Sequence, residues 1–142
     1  MAGSTTIETR FGSFDVQSDA VVAFPEGVPG FEGCQRFVIV TAPTLDPLTC
    51  LQSLDDPHPS FLAVDPRLVV PDYHLELPPA ARHRLEARDD DRLVWLALVR
   101  LDADTALVNL RAPVAVNPRR MIGVQVIPGE SPYPVDHRLS LA

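Results

Sequence analysis

Fifteen prolines fall in 142 residues, and they decide what this chain can become. Proline has no backbone N–H and a φ fixed near −65°, so it breaks helix interiors and is confined to the ends and edges of strands. The stretches left between prolines are short, apolar and rich in β-branched residues, which suits strands better than helices. A helical bundle is therefore excluded, and an all-β, single-domain barrel or sandwich with one short helix is expected over 1–142. The most constrained stretch is Phe24-Pro25-Glu26-Gly27-Val28-Pro29-Gly30-Phe31-Glu32. Two prolines alternate with two glycines there, which specifies a rigid double turn. Phe24 and Phe31 are placed to pin its two ends against a core.

Strands are expected over 5–10, 20–24, 37–41, 48–54, 61–64, 105–110, 114–117 and 121–127. The longest apolar run, 92–101, is expected to be a central strand covered on both faces. Residues 48–54 and 61–64 are expected to form a hairpin around Asp55-Asp56-Pro57-His58-Pro59. The single helix is expected over 78–86, with proline in its first turn. The Asp89-Asp90-Asp91 run that follows is read as a solvated turn, and the proline-rich tail from about 128 as an extended arm.

Charge narrows the function. Nineteen acidic residues against twelve basic ones give a net charge of −7, and every basic residue is arginine. Such a surface repels phosphate, so direct nucleic-acid binding is not expected. Neutral or basic proteins are the favoured partners. No apolar run approaches the ~18 residues of a membrane span. The first residues lack a basic stretch followed by an apolar one, so no signal peptide is expected and the location is cytoplasmic. Two cysteines outside any C-x-x-C pair, Cys34 and Cys50, are expected to be buried free thiols.

No constellation assembles a reaction. There is no G-x-S-x-G, and Cys34 has no recognisable histidine base. Asp55, Asp56 and His58, or Asp72 and His74, have metal-ligating chemistry but no spacing of known mechanical meaning. The glycine-rich loop feeds a strand, not a helix N-terminus, so it cannot cradle phosphate. No catalytic residue, cofactor or metal is expected. The strongest candidate for function is the acidic, proline-punctuated block from 51 to 78. In it Asp56 and Asp65 stand at Asp-Pro bends, where Asx-turns are the ordinary role. The partner surface is expected at Asp55, Asp56, Arg67, Asp72, Tyr73 and Glu76, joined by Phe31 and Glu32 at the mouth of the double turn. Tyr73→Ala is accordingly expected to weaken partner binding without unfolding the protein. Asn109 and Asn117 are expected to be structural.

Several separated motifs, in one order and spacing, carry a family resemblance. Phe24-Pro25-Glu26-Gly27-Val28-Pro29-Gly30-Phe31 opens the set. Leu51-Gln52-Ser53, Asp56-Pro57, Phe61, Asp65-Pro66 and Pro71-Asp72-Tyr73 follow. Val108-Asn109-Leu110-Arg111-Ala112-Pro113 with Asn117, Gly123-Val124-Gln125-Val126-Ile127 and Tyr133-Pro134-Val135-Asp136-His137 complete it. From about Thr6 to Leu139 the chain resembles the FliW family of flagellar assembly factors. The resemblance implies a cytoplasmic, non-enzymatic β-protein. It also implies binding of newly made flagellin and, alternately, of the translational repressor CsrA, which frees flagellin mRNA from repression. Arg67, Val69 and Val70 stand where the family often has aromatics, Cys50 stands where it often has tryptophan, and Asp136 lies in a tail that is often basic. Two alternatives belong beside this one: a pure flagellin chaperone, and a small-ligand-binding β-barrel or enzyme using the Asp55, Asp56 and His58 region.

Overall fold

In a computed structural model, which describes residues 3–17 and 20–139, the chain folds as a closed seven-stranded β-barrel with additions on its outside. The hairpin β1 (Ser4–Thr9) and β2 (Gly12–Gln17) stands apart as its own two-stranded sheet. The larger sheet contains β3 (Val21–Ala23), β4 (Arg36–Val40), β5 (Thr49–Ser53), β6 (Ser60–Val64), β7 (Val94–Asp102), β8 (Thr105–Val108), β9 (Val114–Asn117), β10 (Ile122–Gln125) and β11 (His137–Leu139). Its strand order is β11-β8-β7-β6-β5-β4-β3-β10-β9, and an extra pairing of β9 with β7 closes the ring. Two short helices, α1 (Pro66–Val69) and α2 (Pro79–Arg84), lie between β6 and β7.

Closure depends on how β7 divides one edge between two neighbours. Val94 to Leu96 pair with β9, while Val99 to Asp102 pair with β8. The other edge pairs with β6. β8 and β11 therefore extend past the ring as a flap of sheet. Here the expectation for 92–101 is corrected: only Leu96 and Ala97 are buried in β7, and its far end is open, with Leu101 51% exposed. The run is long because one strand serves both the barrel and the flap, not because both its faces are covered throughout.

The core has an inner and three outer parts. Phe24, Phe37, Leu51, Leu96, Val114 and Val116 fill the barrel. Phe24 and Phe37 are fully buried and meet edge-on at 4.9 Å between ring centroids. Each such side chain contributes about 1.5–3 kcal/mol by burial. Outside, the β1–β2 hairpin covers Val38, Val40 and Cys50. Burial pushes the Cys50 thiol pKa up. The α2 helix covers Ala115, Val124 and Val126. The segment after α1 and the tail cover Val64, Ala97, Val108 and Leu110. β9 is consequently buried on both faces, with valines inward and Ala115 against α2.

Three further expectations need correction. There are two helices, not one: Asp65 accepts from the Arg67 N–H at 2.9 Å, and Pro66 opens the turn, so the Asp-Pro bend is an N-cap. The tail is not merely an arm, since β11 pairs antiparallel with β8. The Asp89-Asp90-Asp91 run is solvated only in part. Asp91 is nearly buried and accepts from the Arg119 guanidinium at 2.9 Å, the Arg88 N–H at 2.8 Å and Asn117 Nδ2 at 3.2 Å. Asn117, fully buried, also donates to the Leu85 carbonyl, and Arg119 to that of Glu86. These bonds satisfy carbonyls at the end of α2 and tie it to the barrel. The hairpin strand β2 lay outside the strands expected from sequence.

Two outcomes follow from this packing. A Cβ on Gly123 would overlap the Phe24 ring, so Gly123→Ala should lower unfolding free energy in urea by about 1–3 kcal/mol. The Arg119 guanidinium and the Arg88 N–H hold the Asp91 carboxyl down at about 2. A depressed carboxylate stabilises the fold above its unfolded value of about 4 and stops doing so as pH falls towards 2. Melting temperatures of the wild type and Asp91→Asn should therefore differ most above pH ~4 and converge by pH ~2.

Candidate partner-binding surfaces

The double turn is built as the sequence specified. Gly27 has φ +65°, its N–H donates to the Phe24 carbonyl at 2.8 Å, and a Cβ there would lie 2.5 Å from the Phe31 carbonyl oxygen. Phe31 bridges back to Val28 and sets its ring edge-on to Phe61 at 5.5 Å. Glu32 is exposed, but one carboxylate oxygen accepts from the Gly30 N–H at 3.2 Å. The turn thus presents Phe31, half-buried, beside the start of β6.

Beneath it lies Asp55. Its carboxylate accepts from the Arg36 guanidinium at 2.8 and 3.0 Å and from the Gln35 and Arg36 N–H groups at 2.8 and 2.9 Å. The Arg36 side chain, then the Gln35 N–H, hold its carboxyl below the usual carboxylate range. Asp55 is a clamp between the β5–β6 loop and β4, and its charge is already matched. Asp56 is different: its side chain is almost wholly exposed, with one oxygen 3.1 Å from His58 Nε2. Cys34 is buried under this loop, its thiol directed at the Asp55 and Asp56 carbonyls. Among the described residues no three His, Cys, Asp or Glu side chains stand where they could hold a metal ion.

The other expected residues lie elsewhere. Arg67 is exposed on α1, beside Leu68 at 65% exposure, and Asp72 and Glu76 are exposed on the segment that follows. Tyr73 is not on the surface. Only 7% of it is exposed, its hydroxyl donates to the Leu110 carbonyl at 2.7 Å, and its ring lies 4.4 Å from that of Tyr133. Burial pushes the hydroxyl up to about 12. Tyr73 therefore holds the segment after α1 to the barrel, and the expected contact role is corrected to a core role.

With Tyr73 in the core, the other seven expected residues form two groups, not one. Phe31, Glu32, Asp55 and Asp56 sit at the start of β6, and Arg67, Asp72 and Glu76 sit beyond its end. Five residues of strand, about 15 Å, separate them. A third feature went unrecognised in the sequence: a groove of about 580 Å³ lined by Phe31, Phe61, Leu98 and Leu107, with Arg10 and Arg100 beside them. Its sequence signal was present in the arginine that interrupts the apolar run of β7. Its meaning depended on the β7–β8 pairing.

Comparison with known proteins places these features in a family. The family model for FliW protein matches residues 5–139. The flagellar assembly factor FliW of Geobacter sulfurreducens is 34% identical over 131 residues, covering 91% of this chain and 82% of that protein. The one from Thermotoga neapolitana is 32% identical over 135 residues, covering 93% and 91%. A crystal structure of the flagellar assembly factor FliW superposes with a TM-score of 0.84 at 25% identity, covering 99% of each chain.

The burial of Tyr73 gives a sharp outcome. Tyr73→Ala should cost about 3–5 kcal/mol in chemical denaturation, as for other large buried aromatics. Tyr73→Phe, which loses only the bond to the Leu110 carbonyl, should cost about 1 kcal/mol.

Proposed function

The chain belongs to the FliW family of flagellar assembly factors, and we propose that it acts by binding alone, as a cytoplasmic partner switch between flagellin and the translational repressor CsrA. In this reading the free protein binds CsrA and releases flagellin mRNA from repression. Unexported flagellin competes for the protein and returns CsrA to the message. The observation that carries the reading is the correspondence with FliW over residues 5–139, which spans the barrel, both helices and the flap.

The chemistry of the surface supports it. Asp56, Asp72 and Glu76 are exposed carboxylates with no arginine within ion-pair distance among the described residues, on a chain of net charge −7. An RNA-binding partner is basic by necessity. Carboxylates presented this way attract its basic face and, once bound, repel the phosphates of its RNA. Phe31, Glu32 and Arg67 are the remaining members of the proposed contact set. Asp55 supports the set from below through its clamp on β4 and is not expected to gain a partner. Among the described residues no helix is long and apolar enough to cross a membrane.

Calorimetric titration of the protein, in chelator, with its own organism's flagellin and separately with CsrA tests the switch. Saturable binding to both is expected, with flagellin displacing CsrA, and Asp72→Lys/Glu76→Lys should weaken CsrA by about tenfold or more. Binding of flagellin alone would make the protein a chaperone without a regulatory branch. Binding of neither would refute the reading.

A further inference from the structure

We propose that the groove beside the double turn docks an amphipathic protein segment whose apolar stripe is flanked by acidic side chains. The proposal is independent of the partner identities given above. It rests on a reversal of charge. The chain as a whole is strongly acidic, yet Arg10 and Arg100 line one apolar depression and Arg138 stands opposite Leu107 at its border, all three without an ion-pair partner among the described residues.

The antiparallel register defines two of them. Arg100 of β7 stands opposite Leu107 of β8, and Leu107 stands opposite Arg138 of β11. Directly paired residues point to the same face of a sheet, so a leucine lies between two guanidinium groups. Leu98, two residues before Arg100, shares that face and continues the apolar floor to Phe31 and Phe61. Acids near this face are Asp102, at the strand end beyond Arg100, and exposed Asp136, next to Val135 and two residues before Arg138. Arg10 closes the opposite side from the turn of the β1–β2 hairpin. Its backbone N–H donates to Ser60 Oγ at 3.1 Å, and its guanidinium lies 4.9 Å over the Phe11 ring, which fixes where the charge is held. Val135 of the tail, 57% exposed, borders the floor.

Hydrophobic floor and cationic rim select one kind of occupant. Apolar side chains of a docked helix or extended segment would cover Phe61, Leu98 and Leu107, and carboxylates on its flanks would meet Arg10, Arg100 and Arg138. A basic segment would meet like charge on both sides of the groove. The groove and the exposed carboxylates of Asp56, Asp72 and Glu76 thus favour partners of opposite sign.

Two fluorescent peptides of about 18 residues, five helical turns each, test this with the full chain. Both carry the same leucine stripe, flanked in one by glutamate and in the other by lysine. At low ionic strength the wild type should bind the glutamate peptide at least about tenfold more tightly, by fluorescence anisotropy. Arg10→Glu/Arg100→Glu/Arg138→Glu should reverse the order while its melting temperature stays close to wild type, because all three side chains are exposed. Val135→Asp should weaken the glutamate peptide with the rim intact. Absence of saturable binding, or equal affinity in the triple variant, would overturn the proposal, and so would full affinity in Val135→Asp. A concentration-dependent dimer that the triple variant abolishes would assign the groove to a second copy of the chain and overturn it as well.

Discussion

The structure depends on one aromatic ring seated where a glycine has no side chain. The β9–β7 pairing closes the ring, but the seam between β3 and β10 within it is thin: a single parallel pair, Ile122 with Ala23, and one backbone bond from the Ala23 N–H to the Met121 carbonyl at 2.9 Å. Parallel pairing over so short a length adds little by itself. Phe24 supplies what the ladder lacks. Its ring occupies the space beside Gly123 of β10, meets Phe37 of β4, and so joins both sides of the seam through the barrel interior. Outside, Arg84 of α2 forms an ion pair with Glu26 of the double turn, bridging the same joint from the solvent side. That pair is half-exposed, so packing is the larger effect.

From this seam the placement of the surface follows. Packing of Phe24 across this seam fixes the start of the double turn, and the positive φ of Gly27 folds the turn back so that Phe31 reaches Phe61 on β6. Asp55 then locks the β5–β6 loop to β4 from the other side. Apolar and charged groups at this end are therefore held by backbone bonds and buried rings, with little rotamer freedom left to lose on binding. The other end, Arg67 to Glu76, is held by Tyr73 and its bond to Leu110, and by the Tyr133 hydroxyl, which accepts from the His74 N–H. Two separately braced surfaces are what the proposed switch between two partners requires.

What could be seen in the sequence was what local chemistry decides. The double turn, most strands and α2 were legible because proline, glycine and β-branched runs act within a few residues. The cap of α1 was also written locally, in Asp65 and Pro66, but a four-residue helix has no apolar periodicity to distinguish it from a bend. Tyr73 was misplaced for a different reason: a tyrosine between an aspartate and a histidine has the composition of a contact residue, and its burial depends on Leu110 and Tyr133, 37 and 60 residues away in sequence. Arg100 was hidden in the same way. Only the division of one β7 edge between β9 and β8 turns the second half of an apolar strand outward.

The packed interior also bears on what kind of protein this is. A barrel of seven strands is narrow enough for side chains to fill, and Phe24, Phe37, Leu51 and Leu96 do so. Its lumen is a core and not a ligand chamber. Ring closure leaves the barrel strands no free edge, and the flap ends in β11, three residues long. Recognition by strand addition thus has little backbone to use on the barrel and flap, and among the described residues unpaired strand edges of any length are confined to the β1–β2 hairpin. The proposed binding rests instead on side chains displayed outside: a cationic rim around an apolar floor at the flap, and the exposed carboxylates of Asp56, Asp72 and Glu76. Under the proposed docking the sign of a partner's charge sets specificity, and a packed barrel presents that charge from a fixed frame.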